Sequence, residues 1–306
     1  MSLYGMIQRA GASGFGYNST TDNVTEGLDL HGKTYLVTGI NSGLGLETIR
    51  ILSERGATIV GSARSEAKAR EAMAGLPGPT FPLACELSEP ASVRAAVATV
   101  LAAGHRLDAI IANAGVMALP ERTVHHGLEM QFLTNHIGHS LLVTGLLPAL
   151  TPTGRVVMLS SAAHWQTYRE GVRLDDLDAA KRYTSWGAYG QSKLCNLLFA
   201  RELAKRLPAG QTANAVHPGV IATNLVRHVL PDALTGLWRS AGTALALKTI
   251  PQGAATQVYV ATHPAAASIT GEYWADCNVH KSSKHGRNDE LAAALWAKTE
   301  ELQTKL

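Results

Sequence analysis

The chain has 306 residues, 46% hydrophobic and 17% charged, with 29 glycines and a net charge of +3. That composition suits one large α/β core; it argues against a disordered chain, and without a basic run it sets nucleic acid aside as a partner. The three cysteines, Cys85, Cys195 and Cys277, stand far apart, which argues against a disulfide framework or a zinc knuckle and fits a reducing cytosol.

Residues 1–30 are rich in Gly, Ser, Asn and Thr, with no signal-peptide pattern and no apolar run of the roughly 18 residues a membrane span requires. They are expected to be a poorly ordered or surface-draped extension to a single cytoplasmic domain covering 31–306, with no membrane span. From there strand and helix patterns alternate. Strands are predicted at Lys33–Val37, Thr58–Gly61, Thr80–Ala84, Leu107–Ala112, Arg155–Leu159, Thr212–Val216 and Gly271–Ala275. Helices are predicted at Leu44–Arg55, Glu66–Ala74, Glu89–Leu101, in a long stretch after Asn113-Ala114-Gly115 up to Leu150, and over Ala188–Leu207. Continuous apolar strands between helices imply a Rossmann-type, doubly wound parallel sheet of about seven strands with helices on both faces. The stretch 221–250 is helical in pattern and is expected to be a substrate lid; its apolar residues, including Leu225, Val226, Leu230 and Trp238, suggest a hydrophobic substrate or simply a core face.

Two patterns carry chemistry. The first strand runs into Thr38-Gly39-Ile40-Asn41-Ser42-Gly43-Leu44-Gly45. Glycines at such a strand–helix junction permit a tight turn, close approach of backbone N–H groups to a pyrophosphate, and close packing of helix on sheet; a purely structural turn is the other reading. The second strand ends in Ala63-Arg64, about where an NAD enzyme places a carboxylate. A guanidinium there suits a 2′-phosphate, with Asn41 and Ser42 as neutral donors, unless Arg64 is an ordinary surface arginine. Further on, Tyr189 and Lys193 stand four residues apart, on one face of a helix. A cation so placed is expected to lower the phenol's pKa from about 10 toward neutrality, making it a proton donor and acceptor.

With these motifs in this order, the chain resembles the short-chain dehydrogenases/reductases, in particular the retinol-dehydrogenase-like and WW-domain oxidoreductase-like branch. The resemblance runs from about Gly32 to Leu302. It rests on the Thr38–Gly45 turn, Asn113-Ala114-Gly115, Asn135 in Thr134-Asn135-His136-Ile137-Gly138-His139, Ser160-Ser161-Ala162-Ala163-His164, Tyr189 with Lys193, and His217-Pro218-Gly219. The resemblance implies an NADP(H)-preferring oxidoreductase acting on a carbonyl or alcohol of a small hydrophobic substrate. Tyr189 would be the general acid/base, Lys193 would lower its pKa and hold the nicotinamide ribose, and Ser161 would polarise the carbonyl. Asn135 would fix a helix irregularity and a water that feeds protons to Lys193. Gly39, Asn41, Ser42, Gly43, Leu44, Gly45 and Arg64 would hold the phosphates. Glu86 and Leu87 would lie by the adenine, Asn113, Ala114 and Gly115 along the adenosine, and Pro218, Gly219, Val220 and Thr223 over the nicotinamide. Homodimers or homotetramers through two long helices are common in such proteins.

The chain departs from the family pattern twice. Glu86 stands where Asp is usual, and 28 residues separate Ser161 from Tyr189 where most members have fewer. The insertion carries Trp165, Tyr168, Tyr183 and Trp186, which either wall the cleft or pack their own loop. His125-His126 and His136-x-x-His139 have a metal-like spacing, but no third ligand falls at a compelling offset, so they read as core or surface histidines and no metal is expected. A non-catalytic NADP(H)-binding sensor or scaffold of the same fold is the alternative function.

Overall fold

In the computed structural model, which describes residues 10–221 and 247–306, the chain builds an eight-stranded sheet. Its strands are β1 (Thr34–Thr38), β2 (Thr58–Ala63), β3 (Thr80–Ala84), β4 (Leu107–Ala112), β7 (Leu150–Leu159), β8 (Thr212–His217), β9 (Tyr273–Ala275) and β10 (Asn278–Val279). β5 (Val124–His125) and β6 (Leu128–Glu129) form a separate hairpin. The order across the sheet is β3-β2-β1-β4-β7-β8-β9-β10, with every pairing parallel except the last. All seven predicted strands are present; the antiparallel edge strand β10 is too short to leave a pattern in the sequence.

The residues of each strand alternate between two cores. In β1, Leu36 faces one apolar cluster while Tyr35 and Val37 face the other, and in β4 Ile110 and Ile111 divide the same way. Burial on both faces explains why the strands read as continuous apolar runs. The covering helices are α1 (Thr21–Val24), α2 (Gly43–Glu54), α3 (Glu66–Ala72), α4 (Pro90–Ala102), α5 (130–146), α6 (Ser185–Ala204), α7 (Ile250–Thr262) and α8 (Asp289–Lys305). Chain direction across the sheet reverses between β1 and β4, which opens a crevice at the carboxyl ends of those strands.

One expectation changes. The long helix predicted after Gly115 begins only at Met130; before it the chain forms a loop and the β5–β6 hairpin. Residues 10–30 are draped on the domain: Phe15 packs edge-on against Tyr259 at 5.5 Å, Val24 and Leu30 are buried, and Ser13 N–H donates to Asn278 Oδ1 at 3.0 Å. Part of the surface of the two long helices is occupied by the chain's own α8. Trp296 stacks on Phe199 at 5.2 Å, His136 Nε2 meets Thr299 Oγ1 at 2.9 Å, and Gln303 Nε2 donates to Ser140 Oγ at 3.0 Å. Among the described residues no helix is long and apolar enough to cross a membrane. Thr223 and the apolar residues of the expected lid lie outside the described residues; at its ends, Ile221 and Lys248 pair as a parallel bridge and Ile250 opens α7.

Candidate active site

The glycine turn leaves β1 and enters α2 at the crevice. Gly39 has φ +69°, and its N–H donates to Ser62 O at 2.9 Å, which sets the turn beside the end of β2. At Gly45 a Cβ would stand 2.2 Å from Gly39 O, so the helix can approach the turn this closely only with glycine. Asn41 and Ser42 are exposed, and Ser42, the N-cap of α2, makes no side-chain capping bond. The first N–H groups of a twelve-residue helix are thus left facing the crevice mouth, a disposition that fits an anionic pyrophosphate. Arg64 directly follows β2, is exposed, and has no hydrogen bond or ion pair to another described residue. A dinucleotide with a 2′-phosphate therefore fits the donors present at this end of the crevice.

Asn113 ties the floor together. Its Nδ2 donates to Thr38 O at 2.8 Å, its Oδ1 accepts from Gln257 Nε2 at 3.1 Å, and Thr38 Oγ1 accepts from the N–H groups of Asn113 and Ala114, both at 2.9 Å. Its side chain joins β1, β4 and α7; it is spent on scaffolding. Thr38 Oγ1 also meets His139 Nε2 at 2.9 Å, and His139 Nδ1 donates to Asn135 O at 2.9 Å. Burial lowers the pKa of His139 to about 4 and that of His136 to about 3, so both are neutral core residues.

Asn135 sits in a single π-helical turn, Leu133–Ile137, within α5. Its Oδ1 accepts from Val116 N–H at 2.8 Å, and its Nδ2 donates to Val116 O at 2.9 Å and Ser192 Oγ at 2.9 Å. The side chain thus pins the loop after β4 to α6. A Cβ on Gly115 would stand 2.9 Å from Asn135 Oδ1 and 3.3 Å from Lys193 Nζ, so this glycine leaves room for both side chains.

Tyr189 and Lys193 lie on one face of α6, at the carboxyl end of β7. Lys193 is fully buried, and its Nζ donates to Leu159 O at 3.0 Å. Burial lowers its pKa to about 8. The Tyr189 phenol is pushed up to about 12 by burial, with the hydrogen-bonded Ser161 hydroxyl pulling the other way. This corrects the expected depression toward neutrality. Lys193 Nζ is 5.7 Å from the Tyr189 ring centre and directed at a backbone carbonyl, and the phenol loses more by leaving water than this cation returns. Ser161 Oγ also accepts from Ala163 N–H at 3.1 Å, which fixes the hydroxyl at the end of β7.

The insertion divides its aromatics. Tyr183 donates to Leu119 O at 2.6 Å and so ties the insertion to the loop after β4, while Tyr168 stacks under Arg173 at 3.6 Å within the insertion itself. Trp186 stands edge-on to Tyr189 at 6.0 Å and is 39% exposed, and Trp165, four residues beyond Ser161, is 58% exposed.

The structure therefore gathers Gly115, Asn135, Ser161, Tyr189 and Lys193 in one place, with the turn and Arg64 at the other end of the crevice. Glu86 and Leu87 follow β3 on the Arg64 side of the crevice, where Cys85 N–H donates to Ala63 O at 2.8 Å. Glu86 accepts from Ser88 Oγ at 2.9 Å within its own turn, and Leu87 is buried in the core. Beyond β8, Gly219 has φ +90°, and Val220 is 61% exposed, its carbonyl accepting from Lys248 N–H at 2.9 Å. Sequence reasoning missed Lys248. It is buried, pairs with Asp276 Oδ1 at 2.5 Å, and lies against Gly219, where a Cβ would meet its Cδ at 2.7 Å. It holds Pro218-Gly219 in place, and a lone lysine 59 residues from Tyr189 gives no signal of that.

Comparison with known proteins agrees with this architecture. A family model described as enoyl-(acyl carrier protein) reductase matches residues 39–276. The chain is 41% identical to a chloroplastic short-chain dehydrogenase, TIC 32 A, of Brassica napus, over 97% of each chain. It is 39% identical to mouse retinol dehydrogenase 12, over 89% of this chain and 86% of that one. Among solved structures, an uncharacterised protein of Mycobacterium paratuberculosis superposes with a TM-score of 0.75 at 33% identity, covering 92% of this chain and 97% of the other. The chain belongs to the short-chain dehydrogenase/reductase family, whose members are nicotinamide-dependent oxidoreductases.

Proposed function

We propose that this protein is an NADP(H)-preferring oxidoreductase that interconverts a carbonyl and an alcohol on a small hydrophobic substrate, with Tyr189 as general acid/base. The observation that carries the reading is the convergence of Ser161, Tyr189, Lys193 and Asn135 beside a crevice whose far end presents Arg64. Bound NADPH supplies the hydride. With its pKa near 12, the Tyr189 phenol keeps its proton at neutral pH and can hand it to the carbonyl oxygen as negative charge develops there. Ser161 donates to the same oxygen from a hydroxyl fixed at the end of β7. The Lys193 ammonium, below its pKa of about 8, supplies the positive charge that favours phenolate once the proton has left. Arg64 meets a 2′-phosphate with paired N–H donors, which NADH does not use. Trp165 and Trp186, exposed beside the site, favour an apolar substrate. Three buried, unpaired cysteines suit a reducing compartment such as the cytoplasm.

Tyr189→Phe tests the reading. It should remove turnover by at least about a hundredfold while leaving NADPH affinity near that of the wild type, because only the proton is lost. A variant oxidising NADPH at close to the wild-type rate would instead favour a fold retained for cofactor binding with the chemistry elsewhere.

A further inference from the structure

On the hairpin, two imidazoles and a carboxylate converge. His125 Nε2 lies 2.6 Å from Glu89 Oε1, and His126 Nε2 lies 3.1 Å from Glu89 Oε2. The imidazole ring centres are 4.1 Å apart, and one ligand atom from each of the three residues can be chosen with all three within 4.8 Å of one another. Neighbouring residues of a strand ordinarily point to opposite faces. Here the two-residue turn has left-handed backbone at His126 (φ +51°) and Gly127 (φ +74°), and this brings both rings to one side. Glu89 arrives from a different element. It is the N-cap of α4 but makes no capping bond, so its carboxylate serves the histidines alone.

We propose that Glu89, His125 and His126 form a binding site for a divalent transition-metal ion of the zinc type, which ties the loop after β4 to the start of α4. Two imidazole nitrogens and one carboxylate are the ligand set of three-coordinate protein sites with an open fourth position. At zinc–ligand bonds of 2.0–2.1 Å, tetrahedral geometry sets ligand atoms about 3.3 Å apart, so small side-chain rotations suffice. All three side chains are 37–45% exposed, which gives the ion an entry path and leaves water as the fourth ligand. The outer ring nitrogens have no partner among the described residues, and without that support the affinity is expected to be micromolar. In the sequence His125-His126 read as core or surface histidines because the third group, Glu89, stands 36 residues earlier and is joined to them only by the fold.

The test is titration of ZnCl2 into the full chain, by calorimetry and against a chromophoric chelator, alongside thermal unfolding. One ion per chain is expected, with Tm raised by roughly 3–8 °C at a hundredfold excess over Kd. Glu89→Gln, close to isosteric, and His126→Asn, which tolerates left-handed backbone, should each weaken binding by at least about tenfold. His31→Gln, on a separate exposed histidine, should leave it unchanged. Absence of binding below about 1 mM Zn²⁺, or equal affinity in wild type and the Glu89→Gln variant, would overturn the proposal. If His126→Asn does not fold, Glu89→Gln decides alone.

Discussion

Lys193 should cost the fold stability in return for its place at the site. Its ammonium is fully buried, receives one backbone acceptor, and has its pKa lowered from 10.5 to about 8 by burial alone. At 1.36 kcal/mol for each tenfold change in proton affinity, that is a penalty of about 3 kcal/mol at pH 7, where the amine is charged both folded and unfolded. Lys193→Met keeps the volume and removes the charge. It also removes the bond to Leu159 O, worth about 1–2 kcal/mol, but that carbonyl keeps Asn196 Nδ2 at 3.1 Å and is not orphaned. The variant should therefore be more stable than the wild type by about 1–2 kcal/mol at pH 7 while losing turnover. Between pH 8 and 10.5 the unfolded wild-type chain holds a proton on this amine that the folded chain lacks, so wild-type stability gains from this group as pH rises. The advantage of the variant should shrink by about 2 kcal/mol from pH 7 to pH 9.5. Urea unfolding of the cofactor-free protein at the two pH values measures both quantities. A variant less stable at pH 7, or a difference that does not change with pH, would refute the reasoning, because Lys193 would then be compensated by a partner charge.

Other consequences follow from the crevice and its rim. Wild type is expected to prefer NADPH over NADH by roughly ten- to hundredfold, and the double change Ala63→Asp with Arg64→Ala should reverse that order, read as kcat/KM for each cofactor at low salt. Retention of the preference would make Arg64 a bystander. Gly45→Ala places a Cβ 2.2 Å from Gly39 O and 2.7 Å from Asn113 Nδ2, so α2 must shift. A loss of about 1–3 kcal/mol in urea unfolding is expected, together with at least tenfold weaker NADPH binding by fluorescence titration. Wild-type stability in the variant would mean that the turn accommodates a methyl group. Across a homologous series of carbonyl substrates, kcat/KM should rise with chain length, since each buried methylene contributes about 0.8 kcal/mol, and Trp186→Ala should flatten the series. A preference for sugars would count against an apolar cleft.

The amino-acid order by itself determined the layered α/β plan. β1, β2, β4 and β7 are buried on both faces, so their apolar runs are nearly continuous, and local pattern suffices to find them. The Thr38–Gly45 turn and the Tyr189–Lys193 pair were legible for a similar reason: each is a short-range constraint, one on backbone space and one on helix periodicity. What depends on distant partners was decided only by the tertiary structure. The π turn at Asn135 arises where its side chain grips Val116, 19 residues away, and no helical periodicity encodes that. Lys248 meets Gly219, 29 residues earlier in the chain, only in the folded domain, and covering Phe199 with Trp296 required α8 to fold back along α6. The pKa of Tyr189 also had to wait for the fold. Four residues of helix bring a cation near the phenol, but whether its field or desolvation dominates depends on how deeply α6 is buried, and that depth is set by the whole domain.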